Sequence, residues 1–167
     1  MSEGNRASTT KDALIEQLGA MVMRFQDATQ KYDEAVGAVY GLGATERLCL
    51  SLLWHGPQTA SAIAREIRLT PGAVTALVDR LEGRGFVRRV ADPGDRRRVL
   101  VEAAEATHRL AADAYLPMAE AGAATLARYS EAELALYARI LGESLAIQDE
   151  MTRAFLARHG KADGEAG

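Results

Sequence analysis

The sequence predicts a mainly α-helical protein with a small β-hairpin, and three observations carry this prediction. Apolar residues recur in steps of three, four or seven over most of the chain, which is the spacing of amphipathic helices. Two short segments with helix-capping residues follow one another closely near the middle of the chain. Directly after them come two β-like segments, separated by a turn rich in Asp, Pro and Gly.

Length and composition set the size and class of the protein. The chain has 167 residues, 48% hydrophobic and 26% charged, which suits one compact domain and argues against both a disordered chain and a multi-domain enzyme. Its single cysteine, Cys49, cannot form an intramolecular disulfide, which fits a reducing compartment. The polar segment 1–11 lacks the apolar centre of a signal peptide, and no apolar run approaches the roughly 20 residues of a membrane span. We therefore expect a cytoplasmic protein with no membrane segment.

The first 40 residues predict a disordered N-terminus, residues 1–10, followed by one long amphipathic helix over residues 11–40. The glycines of Gly41-Leu42-Gly43 end that helix. Thr45 suits the cap of a second helix, which Gly56-Pro57 stops.

Residues 41–103 contain the arrangement that defines the fold. A third, short helix is expected to start at Thr59, and a fourth follows the cap Thr70, with Pro71 at its first position, where the missing N–H would be unpaired anyway. Residues 86–90 and 98–101 are expected to pair as a hairpin wing. This order is that of a winged helix-turn-helix, whose second helix lies in the major groove of DNA. The second helix of the motif, the recognition helix, is here the helix expected after Thr70. The buried face of this helix is predicted to comprise Val74, Leu77, Val78 and Leu81.

Residues 104–158 are expected to form C-terminal helices, and residues 159–167 a disordered tail. Pro117 is expected to bend the first of these helices, and the segment from Ser130 to Glu133 matches a capping box. Because the last helix is apolar on two faces, it needs more than one neighbour. We therefore expect the first and last helices to form the dimerisation region of a homodimer.

Charge is distributed unevenly along the chain. The formal net charge is −3, which by itself would discourage a nucleic-acid partner. The segment from Pro57 to Val101, however, contains nine arginines and five acidic residues, which gives it a net charge of +4. The rest of the chain therefore carries a net charge of −7. A basic centre flanked by acidic helices concentrates positive potential on one part of the molecule. The centre is therefore the candidate surface for double-stranded DNA.

Three groups of residues are predicted to contact DNA. The recognition helix would contribute small or polar side chains that let it sit deep in the groove, namely Thr70, Gly72, Ala73, Thr75, Ala76 and Arg80. The DNA backbone would be contacted by Ser61 and Arg84. The wing would contribute Asp95, Arg96, Arg97 and Arg98, with arginine entering a narrow minor groove and Asp95 fixing the rotamer of Arg97. Each group also has a plain structural interpretation, as a solvated helix face, a set of caps and an exposed charge run.

The chain resembles the MarR (multiple antibiotic resistance regulator) family over roughly residues 11–157. The resemblance rests on an ordered series of motifs: LGAT at 42–45, TASAIA at 59–64, TPGAVT at 70–75, VDRLE at 78–82, GFVRR at 85–89 and DPGDRR at 92–97. It implies a homodimeric bacterial transcriptional regulator, usually a repressor, that binds a pseudo-palindromic operator and is relieved by small phenolic or lipophilic ligands. It also implies that Arg97 is the minor-groove arginine. The chain departs from the family after the wing, at residues 101–109, and in having no cysteine in its first helix.

Other candidate sites also have an interpretation as ordinary core packing. Cys49 is expected to be a buried small hydrophobe rather than a redox switch. The three histidines lack ligand spacing, and no catalytic motif is present, so neither a metal, a cofactor nor an enzyme activity is expected. A ligand pocket could be lined by Met21, Phe25, Arg47 and Trp54, although core packing is the default for each. The alternative function is a winged-helix protein-interaction module, which leaves the arginines of the wing unexplained.

Overall fold

The computed structural model describes residues 4–95 and 97–159. They form two compact units, and the boundary between the two in the sequence falls between Tyr115 and Leu116. In chain order the elements are α1 (Gly4–Tyr40), α2 (Ala44–Trp54), β1 (Gln58–Thr59), α3 (Ala60–Glu66), α4 (Pro71–Gly83), β2 (Val87–Ala91), β3 (Val99–Ala103), α5 (Glu105–Leu110), a π-helical turn (Ala111–Tyr115), α6 (Leu116–Leu126) and α7 (Glu131–His159). The predicted fold class, mainly α with a small wing, is confirmed. Among the described residues, none of the helices combines the length and apolar character that crossing a membrane requires.

Two helix starts differ from the prediction. Helix α1 begins at Gly4 rather than Lys11. Residues 4–10 are therefore helical, whereas the prediction was a disordered segment. Extending an existing helix requires no new nucleation, and a polar sequence can therefore continue it.

Helix α2 begins at Ala44, and its cap is Gly43 rather than Thr45, because the Glu46 carboxylate accepts the Gly43 N–H at 2.8 Å. Residues 1–3 and 160–167, including most of the predicted tail, lie outside the described residues.

Both helices of the central motif have a threonine cap: Thr70 was predicted to be one, whereas Thr59, where α3 was expected to start, is the cap that precedes it. The Thr59 Oγ1 accepts the Ala62 N–H at 3.1 Å, and the Thr70 Oγ1 accepts the Ala73 N–H at 3.3 Å. The predicted apolar face of α4 is buried to within 1% exposure at each position. It packs in one core with side chains from α2, α3 and β2, among them Cys49, Ile63 and Val87. This core holds α4 so that its opposite face is exposed.

The wing belongs to a three-stranded antiparallel sheet with the order β1-β3-β2. Strands β2 and β3 pair as the predicted hairpin, with Arg88 opposite Glu102 and Arg89 opposite Val101. The two-residue strand β1, which the sequence did not predict, joins the far edge of β3 through the pair Gln58 and Val101. The base of the wing is therefore tied to the residues that precede α3.

The join between the wing and α5 lies where the sequence departs from the family. The Phe86 carbonyl accepts both the Ala104 N–H at 2.8 Å and the buried Thr107 hydroxyl at 2.5 Å, and the Gly85 carbonyl accepts the Ala106 N–H at 3.1 Å. These bonds fix the first turn of α5 against the end of the turn that follows α4. The departure is thus compatible with a closely bonded join.

Helix α6 and helix α7 expose most of their apolar side chains. The capping box is confirmed, since the Glu133 carboxylate accepts the Ser130 N–H at 2.8 Å and the Ser130 hydroxyl at 2.6 Å, which lowers the pKa of Glu133. The π-helical turn ends at Tyr115, two residues before Pro117, the residue predicted to bend this helix. A proline has no N–H and clashes with the carbonyl four residues earlier, and a widened turn is one way to accommodate it.

Candidate nucleic-acid interface

The predicted base-reading residues lie on the exposed face of α4. Gly72, Ala73, Thr75, Ala76 and Arg80 are all exposed. A Cβ placed on Gly72 would meet nothing within 4 Å, so the first turn of the helix is open to a partner. A helix face of small side chains allows the backbone to approach the floor of a major groove.

Thr75 has a defined hydroxyl orientation. Its Oγ1 donates to the Pro71 carbonyl at 3.1 Å, within the same helix. The hydroxyl proton is therefore used, while the oxygen lone pairs and the methyl group remain exposed. In this rotamer Thr75 can accept from the amino group of adenine or cytosine, or contact a thymine methyl.

Arg80 forms an ion pair with the first turn of α2. Its Nε lies 3.7 Å from the Glu46 Oε1, and its side chain remains 60% exposed. The same Glu46 carboxylate caps α2 at Gly43. The pair thus directs Arg80 along the exposed side of α4, where it stays accessible to a phosphate or a base.

Arg84, predicted to contact the DNA backbone, has other partners. Its guanidinium donates to the Tyr40 carbonyl at 2.6 Å and to the Gly41 carbonyl at 2.9 Å, and it lies 5.0 Å from the centre of the Phe86 ring. These carbonyls belong to the C-terminal end of α1, where a cation is favoured by the helix dipole. Arg84 therefore joins α4 to α1, and we expect this structural role in place of the predicted phosphate contact.

Ser61 and Thr70 lie near the starts of α3 and α4, and both are exposed. The Ser61 hydroxyl lies 3.1 Å from the Thr59 hydroxyl, and Thr59, not Ser61, is the cap of α3. Ser61 therefore has a local hydrogen bond and remains at the surface, which leaves a phosphate contact as a prediction.

Asp95 organises the tip of the wing in a way that differs from the prediction. Its carboxylate accepts the backbone N–H of Arg97 at 3.0 Å, whereas the prediction was a contact with the Arg97 guanidinium. The reason is local: the described residues 92–95 and 97–98 lie in a turn rather than in an extended strand, so the Asp95 and Arg97 side chains do not share a face. Asp95 fixes the backbone that carries Arg97.

The rest of the tip is also closed by hydrogen bonds. The Asp92 N–H donates to the Arg98 carbonyl at 3.0 Å, and the Arg98 N–H donates to the Asp95 carbonyl at 2.8 Å. The Asp92 carboxylate accepts the Gly94 N–H at 2.8 Å and lies 3.8 Å from the Arg98 Nε. Arg98 therefore has an ion-pair partner in the wing. Arg96, the remaining predicted wing residue, lies outside the described residues.

The arginines of the basic centre divide into two sets. Arg80, Arg84, Arg88, Arg89 and Arg98 bind carboxylates or carbonyls of this chain. The side chains of Arg65, Arg68 and Arg97 have no ion pair or hydrogen bond within the described residues, and all three are exposed. The second set can bind phosphate without first losing a partner.

Sequence reasoning missed Arg65 and Arg68 as candidate DNA contacts. They lie at the end of α3 and in the turn before α4. Arg68 has φ 55°, a left-handed conformation that glycine adopts at lower energy. Their position at the end of the first helix of the motif and in the turn that follows it was the available signal. The strain at Arg68 could be found only from the backbone.

The four predicted pocket residues have different surroundings. Met21, Phe25 and Trp54 are each more than half exposed in the single chain, so they do not pack in its core. Arg47 donates to the Leu42 carbonyl at 2.9 Å, at the junction of α1 and α2. The centre of the Trp54 ring lies 5.8 Å from the centre of the His108 ring, which belongs to α5. A shared pocket for these four residues stays a prediction.

Three tyrosines tie α1 to the π-helical turn, and sequence reasoning missed them. Tyr32 donates to the Ala114 carbonyl at 2.5 Å, Tyr40 to Asp113 at 2.7 Å, and Tyr115 to Asp33 at 2.9 Å. Burial and the bond to Asp33 raise the pKa of Tyr115 to about 12. These bonds hold the C-terminal half of α1 against the end of the first compact unit.

Cys49 has the environment predicted for a structural cysteine. It is fully buried in the core, and burial raises the pKa of its thiol to about 11. Across the described part of the chain, no group of three or more His, Cys, Asp or Glu side chains is placed to hold a metal ion.

Comparison with known proteins identifies the family. A model of the MarR family matches residues 42–99, which span α2 to the start of β3. YcgE, an uncharacterised HTH-type transcriptional regulator of Bacillus subtilis, is 35% identical over 123 residues, which cover 73% of this chain and 80% of the relative. The chain belongs to the MarR family. Its members are transcriptional regulators, so this protein is a transcriptional regulator and not an enzyme.

Two further matches have more specific descriptions. NicR of Pseudomonas putida, an HTH-type transcriptional repressor, is 35% identical over 65 residues, which cover 39% of this chain and 40% of the relative. A mutant of MepR from S. aureus, solved bound to an oligodeoxyribonucleotide, has a TM-score of 0.51 at 19% identity and covers 79% of this chain and 97% of its own. The second match shows that the two proteins share a fold.

Proposed function

We propose that this MarR-family regulator is a homodimer that binds a pseudo-palindromic operator and represses its own or neighbouring genes. The observation that carries the proposal is Arg97. Its side chain is exposed and has no partner within the described residues, and it extends from a tip whose backbone is closed by hydrogen bonds. The tip belongs to the hairpin that packs beside α4. A transcriptional regulator acts on the chromosome, so the expected cytoplasmic location is part of the same proposal.

Each DNA-contacting element has a distinct role in the proposal. Helix α4 enters the major groove, where Thr75 accepts from a base edge or contacts a thymine methyl and Arg80 reaches a guanine or phosphate. Arg97 enters the minor groove, where a narrow groove enhances the negative potential. Phosphates on either side are contacted by Ser61 and Thr70, and by Arg65 and Arg68.

Dimerisation is supported by the apolar surfaces of α1 and α7. Helix α1 exposes Leu14, Ile15, Leu18, Met21, Val22 and Phe25 by more than half of each side chain. Helix α7 exposes residues of the same kind, namely Leu136, Tyr137, Ile140, Leu141, Leu145, Ile147, Met151 and Phe155. Apolar surfaces of this extent are rare on soluble monomers. A second copy of the chain would cover them and would place two recognition helices about one helical turn of DNA apart.

The DNA-binding part of the proposal is tested with Arg97→Ala. The probe is an operator duplex, defined as a duplex that the wild-type protein enriches from a random library, and the readout is fluorescence anisotropy. Losing a specific groove contact should weaken binding about 5- to 150-fold, which corresponds to about 1–3 kcal/mol. Arg88→Gln is the matched control, because Arg88 pairs with Glu102 inside the hairpin. Wild-type affinity in a folded Arg97→Ala protein would reject the assignment of the wing.

The dimer is tested by mass in solution. Light scattering after size-exclusion chromatography should give about twice the chain mass of 17.9 kDa. A charge on the apolar surface of α7, Leu145→Glu, should shift the mass towards the monomer, whereas Arg139→Gln on the same helix should not. A wild-type monomer at micromolar concentration would contradict the proposal.

Relief by a small phenolic or lipophilic ligand is the remaining part of the proposal. A ligand changes operator affinity only if it binds one arrangement of the protein more tightly than another. We place the site at Met21, Phe25, Arg47 and Trp54, where three exposed apolar side chains and a guanidinium suit a lipophilic anion. Phenolic carboxylates should weaken operator binding by the wild type and should do so less for Arg47→Gln. An equal effect on both proteins would place the ligand elsewhere.

A further inference from the structure

One arginine of the wing binds the recognition helix at three points. The Arg89 guanidinium lies 2.6 Å from the Asp79 carboxylate through Nη2 and pairs with the Glu82 carboxylate through Nη1. The Arg89 backbone N–H also donates to Glu82, at 2.9 Å. The two carboxylates lie one turn apart on α4, so they hold the guanidinium from two directions. These hydrogen bonds raise the pKa of Arg89, with Asp79 the larger cause, and the side chain stays charged.

The neighbouring arginine makes a contact of a different kind. Arg88 pairs with Glu102, its partner across the hairpin, at 2.5 Å, so it links β2 to β3 and not to α4. Successive side chains of a strand point to opposite faces. Arg88 and Arg89 therefore carry the same charge at adjacent positions of β2, but of the two only Arg89 reaches the recognition helix.

The contact lies between the two parts of the molecule that must reach DNA together. Towards its base, the wing is fixed by the backbone bonds of Gly85 and Phe86 to the start of α5. Towards its tip, Arg97 stands at the far end of a hairpin that, in the part of the chain that the structure describes, has one further strand, β1, beside it. A small rotation of the hairpin about its base would displace the tip by the largest amount. Among the described residues, Arg89 joins the middle of β2 to α4 through ion pairs.

We propose that Arg89, held by Asp79 and Glu82, is a positioning residue that sets the wing at the angle where Arg97 and α4 engage DNA at the same time. The proposal rests on the proposed function, since it needs a wing that enters a groove. It predicts that the effect of Arg89 on affinity passes through Arg97. It also assigns a function to two carboxylates that would otherwise only repel the phosphates of the DNA.

A competing explanation is electrostatic. Arg89 could merely neutralise Asp79 and Glu82 and so keep two negative charges away from the phosphates. The two explanations predict opposite results for Asp79→Asn/Glu82→Gln, which keeps Arg89 and removes both negative charges. The amide oxygen that this variant carries at position 82 can still accept the Arg89 N–H. Positioning predicts that operator affinity falls, and neutralisation predicts that it rises.

The test measures operator affinity by anisotropy for the single variants Arg89→Gln, Arg88→Gln and Arg97→Ala, and for Arg89→Gln/Arg97→Ala. We expect Arg89→Gln to weaken binding about tenfold and Arg88→Gln less than threefold. In the Arg97→Ala background, Arg89→Gln should weaken binding less than twofold, because a displaced tip then has no contact left to lose. Thermal unfolding of each variant checks that the protein is folded at the assay temperature, and Asp79→Asn/Glu82→Gln provides the second measurement if Arg89→Gln is unfolded.

Two results would overturn the inference. The first is a tenfold effect of Arg89→Gln in both backgrounds, which would mean that it does not act through Arg97. The second is a gain in affinity for Asp79→Asn/Glu82→Gln, which would favour neutralisation. Either result leaves the proposed function intact. A wild-type protein that enriches no duplex, or an Arg97→Ala variant that binds like the wild type, would instead contradict the proposed function itself.

Discussion

Replacing Arg84 with alanine should destabilise the protein without removing a DNA contact. The guanidinium makes two charge-assisted bonds to the last carbonyls of α1, at 2.6 and 2.9 Å, and lies over the Phe86 ring. A hydrogen bond to a charged group contributes about 1.5–3 kcal/mol when it is shielded, and an exposed cation–π contact about 0.5–1 kcal/mol. Because Arg84 is exposed, we discount the sum to about 1–3 kcal/mol. In a chain of this length that lowers the Tm by about 2–12 °C.

The assay compares thermal unfolding with the salt dependence of operator binding. Arg109→Ala is the control for stability, since it removes a single exposed pair with Glu105 and should change the free energy of unfolding by less than about 0.5 kcal/mol. All proteins are compared at one concentration, because association makes the Tm depend on it. The slope of log K against log salt should match the wild type in Arg84→Ala. An unchanged Tm together with a slope reduced by about one would refute this reasoning and return Arg84 to the DNA backbone.

Four further predictions follow from individual side chains. Thr75→Val should change sequence preference more than non-specific affinity, because the contact is with a base edge; an equal loss on operator and scrambled duplexes would contradict that role. Arg68→Gly should raise the free energy of unfolding by up to about 1 kcal/mol by relieving the left-handed strain, while weakening DNA binding and lowering the salt slope by about one; a loss of stability would show that the turn does not favour glycine. Cys49 should resist a thiol reagent at pH 8 in the native protein and react once the protein is unfolded; rapid native labelling would contradict its burial. For Tyr115, a pKa raised to about 12 means that its contribution to stability is present below about pH 10 and is lost as the pH rises to about 12, so Tyr115→Phe should flatten alkaline unfolding; an unchanged profile would exclude this role.

Local rules account for what could be predicted from the sequence. Thr59 and Thr70 cap their helices, and the apolar stripe of α4 is buried, because capping and helical periodicity depend on residues a few positions apart. The hairpin followed from two β-like segments around a turn. The exposed face of α4 followed in turn, since it is what remains once the stripe is assigned.

Contacts between distant parts of the chain could not be predicted in this way. Arg84 reaches carbonyls 43 and 44 residues earlier, and Tyr32 bonds a carbonyl 82 residues away. The first of these contacts indicates a structural role for a residue that was predicted to bind DNA. The prediction for Asp95 was wrong for a different reason, because an extended strand was assumed where the backbone turns.

The most direct test of the central claim is a selection of duplexes from a fully randomised DNA library with the purified wild-type protein. A homodimer with α4 in the major groove and Arg97 in the minor groove predicts an enriched pseudo-palindrome. Its half-site centres should lie about 10 base pairs apart, or a multiple of this spacing, and binding should weaken steeply with salt. A selection that enriches no sequence, or a single half-site without symmetry, would contradict sequence-specific binding by a dimer.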